Sequence, residues 1–554
     1  MFEYKGEKFL TDEDLEIVDL GRYPEVIIQN EELKKIFEKK CGRSFLGGDE
    51  IISFRQALVA RGMNFNGLED EILKKVKETE KPISEIVFEK TATGIGRGHS
   101  MGGLSGIVLG LHGTKMIDSG LTGLVSSRSL VTSGRRRSVQ ISDIVIPRYI
   151  TDKEDILKKY LQTSKDAFRE SQRFKETFGK LEGIESFNKA LAYNNPADLF
   201  LVLPLDTMAT IIFEVIQDNL NPNGPFLPKE IHELAKRIPE IADRNGMGTM
   251  LRQRIKVPRD TYFHYNVFKD PDMENYVSDI IKKEGIPIKP LLLELHKDIT
   301  QGFKKKLKEI EEKYKTARNA TDPDEIYENA MRCMLNVRDF VGEYNESIRA
   351  KIFDTLSFRV WSEQKRHATL RQGVESIYSS TQRAWNILKE VMPQIENSYS
   401  RKNCEVPLEK IEKAIIIDNR LKKNPELVVP YIYHSAKQLE LFNELLGSGA
   451  SLRDAAFMIP RNTRITCIEN YDLANIIGLE LPLRLCSECE PERYKTSWQK
   501  RNLLAKAIPE IKELLQPKCS VGFCTEGDYC KHIEKLRKYD DSLHRKIKEV
   551  MLYK

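Results

Sequence analysis

The stretch Arg359–Ser376, RVWSEQKRHATLRQGVES, concentrates the guanidinium groups of Arg359 and Arg366 and the imidazole of His367 ahead of the hydroxyl of Ser376. These are the groups with which proteins hold phosphates, since the arginine fork stays charged and binds an oxyanion bidentately. A second stretch, from Arg484 to Cys530, carries Cys486, Cys489, Cys519, Cys524 and Cys530, with His532 close behind. A Cys-x2-Cys knuckle lets two thiolates reach one ion, and the later cluster can complete a tetrahedral Zn²⁺ site or hold an iron–sulfur cluster. Five candidates exceed the four ligands needed, so one is a bystander; ordinary thiols are the alternative. Cys41, Cys333, Cys404 and Cys467 are scattered and read as core.

The bulk numbers bound what surrounds these stretches. A chain of 554 residues is too long for one compact core, which predicts several domains. Against 83 acidic residues stand 88 basic ones, a net charge of only +5 that does not indicate a general polyanion binder, so RNA as a partner is not signalled by charge. The N-terminus lacks an apolar signal region, and the longest apolar stretch, Phe200–Ile216, is broken by Pro204, Asp206 and Thr207. The expectation is a cytoplasmic protein with no membrane partner, whose cysteines are thiols or metal ligands.

Along the chain, residues 1–90 read as a charged helical region, with apolar positions at helical spacing in Glu31–Lys40 and Leu68–Glu78. A glycine-dense run then carries His99, and SRSLVTSGRRRSVQISDIVIPRY follows with Arg136 and Arg137 in a triple arginine and Arg148 near its end. Either run is a solvated loop or a phosphate clamp. Thr151–Gly179 reads as a helix opened by a Thr151/Glu154 capping box. Leu199–Val215 is a β-prone run punctuated by Pro204, Phe226–Ile238 an amphipathic helix started by Pro228, and Arg244–Arg254 a linker. Later come a charged helix at Phe303–Lys315, one capped by Asp322 with Pro323 at its first position, and one near Thr381–Val391 ended by Pro393. Each half thus shows a basic motif, helices, and an apolar run with a proline inside it, which reads as a duplication. The expected segments are a helical region 1–90, a first repeat 91–245, a linker and long helix 246–320, a second repeat 321–485, and a cysteine-rich metal-binding tail 486–554.

At these motifs the chain resembles the flavin-dependent thymidylate synthases, whose signature is Arg-His-Arg, seven residues, Ser, and then Arg-Tyr. Arg359-Val-Trp361 resembles the Arg-x-Trp before the signature, and Arg366-His367-Ala368 with Ser376 reproduces its spacing, Ala368 and Tyr378 standing where the family has arginine. In the first half Gly98-His99, Arg136-Arg137-Ser138, Arg148-Tyr149 and Leu203-Pro204-Leu205 resemble complementary parts. The family's arginine four residues before the proline is Phe200 in one half and Ala456 in the other.

The resemblance implies an α+β fold of two tandem repeats, each a mixed or antiparallel sheet with long helices. It also implies a transferase that moves a one-carbon unit from reduced folate to C5 of a uracil nucleotide, using FAD and NAD(P)H, with no protein nucleophile. Arg359, Arg366, His367, His99, Arg136 and Arg137 would hold the flavin, and Ser376, Arg148 and Arg484 the nucleotide. Because the family builds its active sites between subunits, a duplicated chain is expected to act as a homodimer. The alternatives are a non-catalytic nucleotide- or RNA-binding scaffold with a structural metal, and a flavoenzyme acting on another pyrimidine.

Overall fold

The computed structural model describes residues 1–23, 26–41, 45–46, 65–79, 106–124, 128–131, 144–178, 188–256, 266–273, 275–319, 323–364, 369–487, 489–521, 523–524 and 537–538. The chain is α+β and divides into two units. The first contains Met1–Met273, Ser376–Trp385 and Val429–Arg461; the second contains Glu274–Glu375, Asn386–Val428 and Asn462–Lys554.

The first unit opens with strands. β1 (Phe2–Tyr4), β2 (Glu7–Thr11), β3 (Glu16–Tyr23) and β4 (Val26–Ile27) precede α1 (Glu31–Cys41), β5 (Phe45–Leu46) and α2 (Phe65–Glu78). The two expected helices are present, but the reading of 1–90 as a helical region is corrected at its start, where strands β1 to β4 lie. Glu16–Tyr23 alternates across the two sides of a sheet, a period-2 pattern short enough to be hidden by its acidic residues. The sheet's other strands are β6 (Gly106–Thr114), β7 (Arg128–Val131) and β9 (Pro196–Pro204), and β8 (Val145–Ile146) pairs with β2. The four-stranded order is β3-β6-β9-β7, antiparallel throughout.

Leucines 109, 111, 201 and 203 form its inner face. Beneath them pack α3 (Lys115–Leu124), α5 (Leu205–Leu220) and α6 (Lys229–Arg244). Pro204 ends β9, where it has no N–H to donate, and stands at the N-cap of α5, so the run Leu199–Val215 is half strand and half helix. Pro228 occupies the N-cap of α6 in the same way. Two further readings are corrected: α4 covers Glu154–Phe178, with the Thr151 hydroxyl donating back to the Arg148 carbonyl rather than capping it, and Arg244–Arg254 is no linker because α7 (Gly248–Lys256) runs through it.

The second unit repeats the sheet. After α8 (Tyr276–Glu284) come β10 (Leu291–Lys297), α9 (Gln301–Asn319), α10 (Pro323–Tyr344), β11 (Ile348–Ser357), α11 (Phe358–Gln364) and β12 (Arg371–Val374); then, in chain order, α12 (Ile377–Arg401) and α13 (Pro425–Gly447), whose residues 377–385 and 429–447 belong to the first unit; then β13 (Arg464–Asp472), α14 (Glu480–Arg484) and α15 (Pro491–Ala507) of the second. Its strand order, β10-β11-β13-β12, is the first sheet's order with its last two strands, β7 and β9, answered by β12 and β13, and every pair is again antiparallel. Even the irregularity matches. The first edge strand shifts register between Asp19 and Gly21, and the second between Leu292 and Glu294.

Residues 246–320 are therefore not a linker, since they supply an edge strand of the second sheet. Nor is Cys486–Lys554 an appended tail throughout: Leu504, Ile508, Ile511 and Leu514 are buried with Phe303, Phe340 and Ile352 in one core. Pro393 sits inside α12 without ending it. The buried run Leu388, Val391, Met392 and Ile395 continues past the proline and offsets the hydrogen bond that it removes.

Candidate functional site

The second sheet carries charge where its counterpart carries leucine. Matched by register, Leu111 of β6 corresponds to Asp354 of β11, and Leu201 of β9 to Glu469 of β13. Both carboxylates point to the inner face and are at most 1% exposed. Helix α15 answers them from one side, because Arg493 and Lys500 stand seven residues apart on the same face. Lys500 Nζ lies 2.5 Å from Asp354 and also contacts Glu469, while Arg493 reaches Glu469 at 3.3 Å and Glu480 of α14 at 3.5 Å. The Tyr471 hydroxyl donates to Glu469 at 3.0 Å.

Taking such charges out of water costs several kcal/mol per ion, which is offset only when each is multiply partnered, as here. Burial by itself would raise the Glu469 carboxyl. The cations Lys500 and Arg493, with hydrogen bonds from Lys500 and Gln364, outweigh it and hold the group at about 2. Asp354 moves the other way, because burial exceeds the pull of Lys500.

This cluster anchors the signature segment at both ends. Gln364, the last residue of α11, donates to Glu469 Oε1 at 2.5 Å, and Gln372 of β12 donates to the same oxygen at 3.1 Å. Arg366 and His367 fall between them in sequence and lie outside the described residues, as do His99, Arg136, Arg137 and Cys530.

Among the other site candidates, Arg359 is 2% exposed, its Nη1 lying 3.8 Å from Glu490, the residue that caps α15. Arg484 donates from Nε to Glu480 at 2.8 Å, and it is more accessible than the cluster's other cations, with 15% of its side chain exposed. Ser376 is buried and donates to the Lys269 carbonyl at 2.7 Å, within the first unit. Arg148, also in the first unit, is exposed, and its backbone N–H donates to Asp12. Arg484 thus joins the ionic cluster through Glu480, its neighbour one helical turn away, whereas Arg359 forms a separate pair with Glu490 that no motif announced. A carboxylate in the interior of each strand, IRAKIFDTLS and RITCIENYD, was the available signal for Asp354 and Glu469.

Cys486 and Cys489 share a tight turn, with the Cys489 N–H donating to the Cys486 carbonyl at 3.0 Å, and both are partly exposed, as is Cys519. The turn fits a two-thiolate knuckle. Among the described residues no group of three or more His, Cys, Asp or Glu side chains is placed to hold a metal ion, the side chain of Cys524 lying outside them. Of the cysteines read as core, Cys333 and Cys467 are buried, whereas Cys404 is only partly so.

No family model matches the chain. A segment of 124 residues, 21% of the chain, is 26% identical to the flavin-dependent thymidylate synthase of Thermococcus onnurineus, covering 50% of that protein. The synthase of Pyrococcus furiosus is 28% identical over 125 residues, and that of Pyrococcus abyssi 25% over 126, each covered to 51%. Part of this chain is related to the flavin-dependent thymidylate synthases. It spans about half the length of the curated relatives it matches. Thymidylate Synthase X of Helicobacter pylori, solved with FAD and dUMP, aligns over 41% of this chain and 97% of its own at 13% identity and a TM-score of 0.27, too distant for any residue of the synthase to be carried across.

Proposed function

We propose that the chain is a flavin-dependent thymidylate-synthase-like transferase, built as a diverged tandem duplication, that transfers a one-carbon unit from reduced folate to C5 of a uracil nucleotide. The observation that carries this reading is the 124-residue relationship to synthases of that name. The duplication is supported by the shared strand order and the matched register shifts, with β3 of the first sheet answering β10 of the second. When bound, reduced FAD supplies the hydride that completes the methyl group.

The chain's own part is positioning. Arg366 and His367, with Arg136, Arg137 and His99, would hold the flavin phosphates. Arg484 and Arg148 would meet the nucleotide, since both retain access to solvent. Arg359 and Ser376 would act from behind, through Glu490 and the Lys269 carbonyl. Metal at Cys486, Cys489 and the later cysteines would fasten the start of α15, and a homodimer would complete the assembly.

The test is the visible spectrum of the anaerobically purified chain together with tritium release from 5-³H-dUMP. Flavin bands with folate-dependent release are expected. A colourless protein that takes up no added FAD would overturn the reading. Internal neutralisation of Arg359 and Arg484 by Glu490 and Glu480 favours a second reading, a nucleotide- or RNA-binding scaffold, which would bind dUMP or uridine-rich RNA without flavin.

A further inference from the structure

The outer faces of the two sheets correspond position by position and differ in what covers them. In the second sheet Phe353 pairs with Ile468, which pairs with Gly373, while the edge strand β10 places Leu291 opposite Phe353 and Leu293 at the register shift. Helix α8 lies on this face. Its Val277, Ile280 and Ile281 pack with Phe353, Ile468 and Leu293. Caps fix both ends of this short helix, since the Asn275 side chain accepts the N–H groups of Val277 and Ser278, and Gly285 ends it at φ +73°. A Cβ on Gly373 would stand 3.3 Å from Val277 Cγ2, so glycine there sets how closely the helix approaches.

In the first sheet the same register puts Val18 at the position of Leu291, Leu20 at that of Leu293, Gly110 at that of Phe353 and Phe200 at that of Ile468. These side chains face water: Val18 is 44% exposed, Leu20 52% and Phe200 40%. Gly110 leaves a shallow seat among them, where an added Cβ would touch Leu20 at 3.6 Å and Val18 at 3.7 Å. One end of the patch is acidic. Glu16 and Asp198, both exposed, flank His112, whose Nδ1 lies 2.6 Å from Asp198.

We propose that this face is a docking site for an amphipathic helix of a partner protein, one that sets aliphatic side chains at i, i+3 and i+4 over Gly110 and a basic residue against Glu16 and Asp198. The kind of occupant is argued from the second sheet, where a helix of that pattern covers the corresponding residues. A contiguous apolar patch in water is the surface expected of an interaction site, and the acidic end gives the bound helix a direction. The proposal stands apart from the flavin reading, since it uses none of its residues.

The test uses the full chain and a stapled, fluorescein-labelled peptide with the sequence of Asn275–Gly285, which has aliphatics at the required spacing and lysines in its last turn. Saturable binding by anisotropy is expected, weakened about tenfold or more by Phe200→Ser and by Leu20→Ser, and equally by serine at Ile280 and Ile281 of the peptide. Both substituted chain positions are exposed, so unchanged thermal midpoints will show the fold intact. No binding to the wild type overturns the proposal, and so does binding that survives both substitutions, which would report exchange with α8 in the second unit. Protection of a Phe200→Cys thiol from maleimide in the isolated monomer would assign the face to its own chain. A dimer dissolved by Phe200→Ser would assign it to a second copy; either result overturns the partner helix.

Discussion

Glu469 ties the second unit together at the level of single side chains, taking bonds from Lys500, Gln364, Gln372 and Tyr471 and facing Arg493. Removing one member of a buried pair strands the other, so Lys500→Met is expected to cost about 3–5 kcal/mol in urea unfolding. A loss below about 1 kcal/mol would show that the cluster is wetter than its burial indicates. The pH dependence has a definite sign. With its folded value at about 2 against an ordinary 4.5, Glu469 contributes stability that is complete above pH 4.5 and is lost as pH falls toward 2. Asp354 opposes this, so the measurement is the difference between wild type and Glu469→Gln, in which the substituted chain should lose less stability on acidification. Cys486→Ser with Cys489→Ser should release zinc or iron from the purified chain by elemental analysis; retained metal would place the ligands elsewhere.

Glu230 shows the same physics between two elements. It stands in the first turn of α6 and accepts from the backbone N–H of Thr114, the last residue of β6, at 2.6 Å, and from its hydroxyl at 2.5 Å. Burial pushes its carboxyl up to about 7 against the pull of these hydrogen bonds. A raised carboxyl stabilises the fold fully below its unfolded value of about 4.5 and progressively less as pH climbs to 7. The thermal midpoint of the first unit should therefore be higher at pH 5 than at pH 8, and Glu230→Gln should remove most of that difference; an unaltered slope would show that other groups carry it. The start of α6 is legible in the sequence because Pro228 sets it, whereas the strand-to-helix change at Pro204 and the Asn275 cap of α8 are not. A boundary was misread at Pro393, where a continuous buried face outweighed the local signal.

Across the whole molecule, each unit is assembled from distant parts of the chain. The first takes in Ser376–Trp385 and Val429–Arg461, through which Tyr378 donates to the Phe226 carbonyl at 2.6 Å, Tyr431 packs 5.9 Å from Phe174, and Arg461 donates to Asn195 at 3.2 Å. A fragment of residues 1–273 would lack these segments, and each large buried side chain contributes about 1.5–3 kcal/mol. Expressed alone, it should show no cooperative thermal transition. A sharp one near that of the full chain would mean that the first unit is complete without them.

By itself the sequence determined the class of the fold, several of the longer helices, the duplicated grammar of motif, helices and proline-broken run, and the resemblance to a flavin-dependent family. These depend on contacts close in sequence or on motifs of fixed spacing. Only the tertiary structure decided which strands share a sheet, that Glu16–Tyr23 and Leu291–Lys297 are matching edges, and that Arg359 meets Glu490. It likewise decided that one outer face is covered while the other lies open. Those outcomes turn on pairing register and on partners more than a hundred residues away, such as Glu490 for Arg359, and no local pattern of residues encodes a partner at that distance.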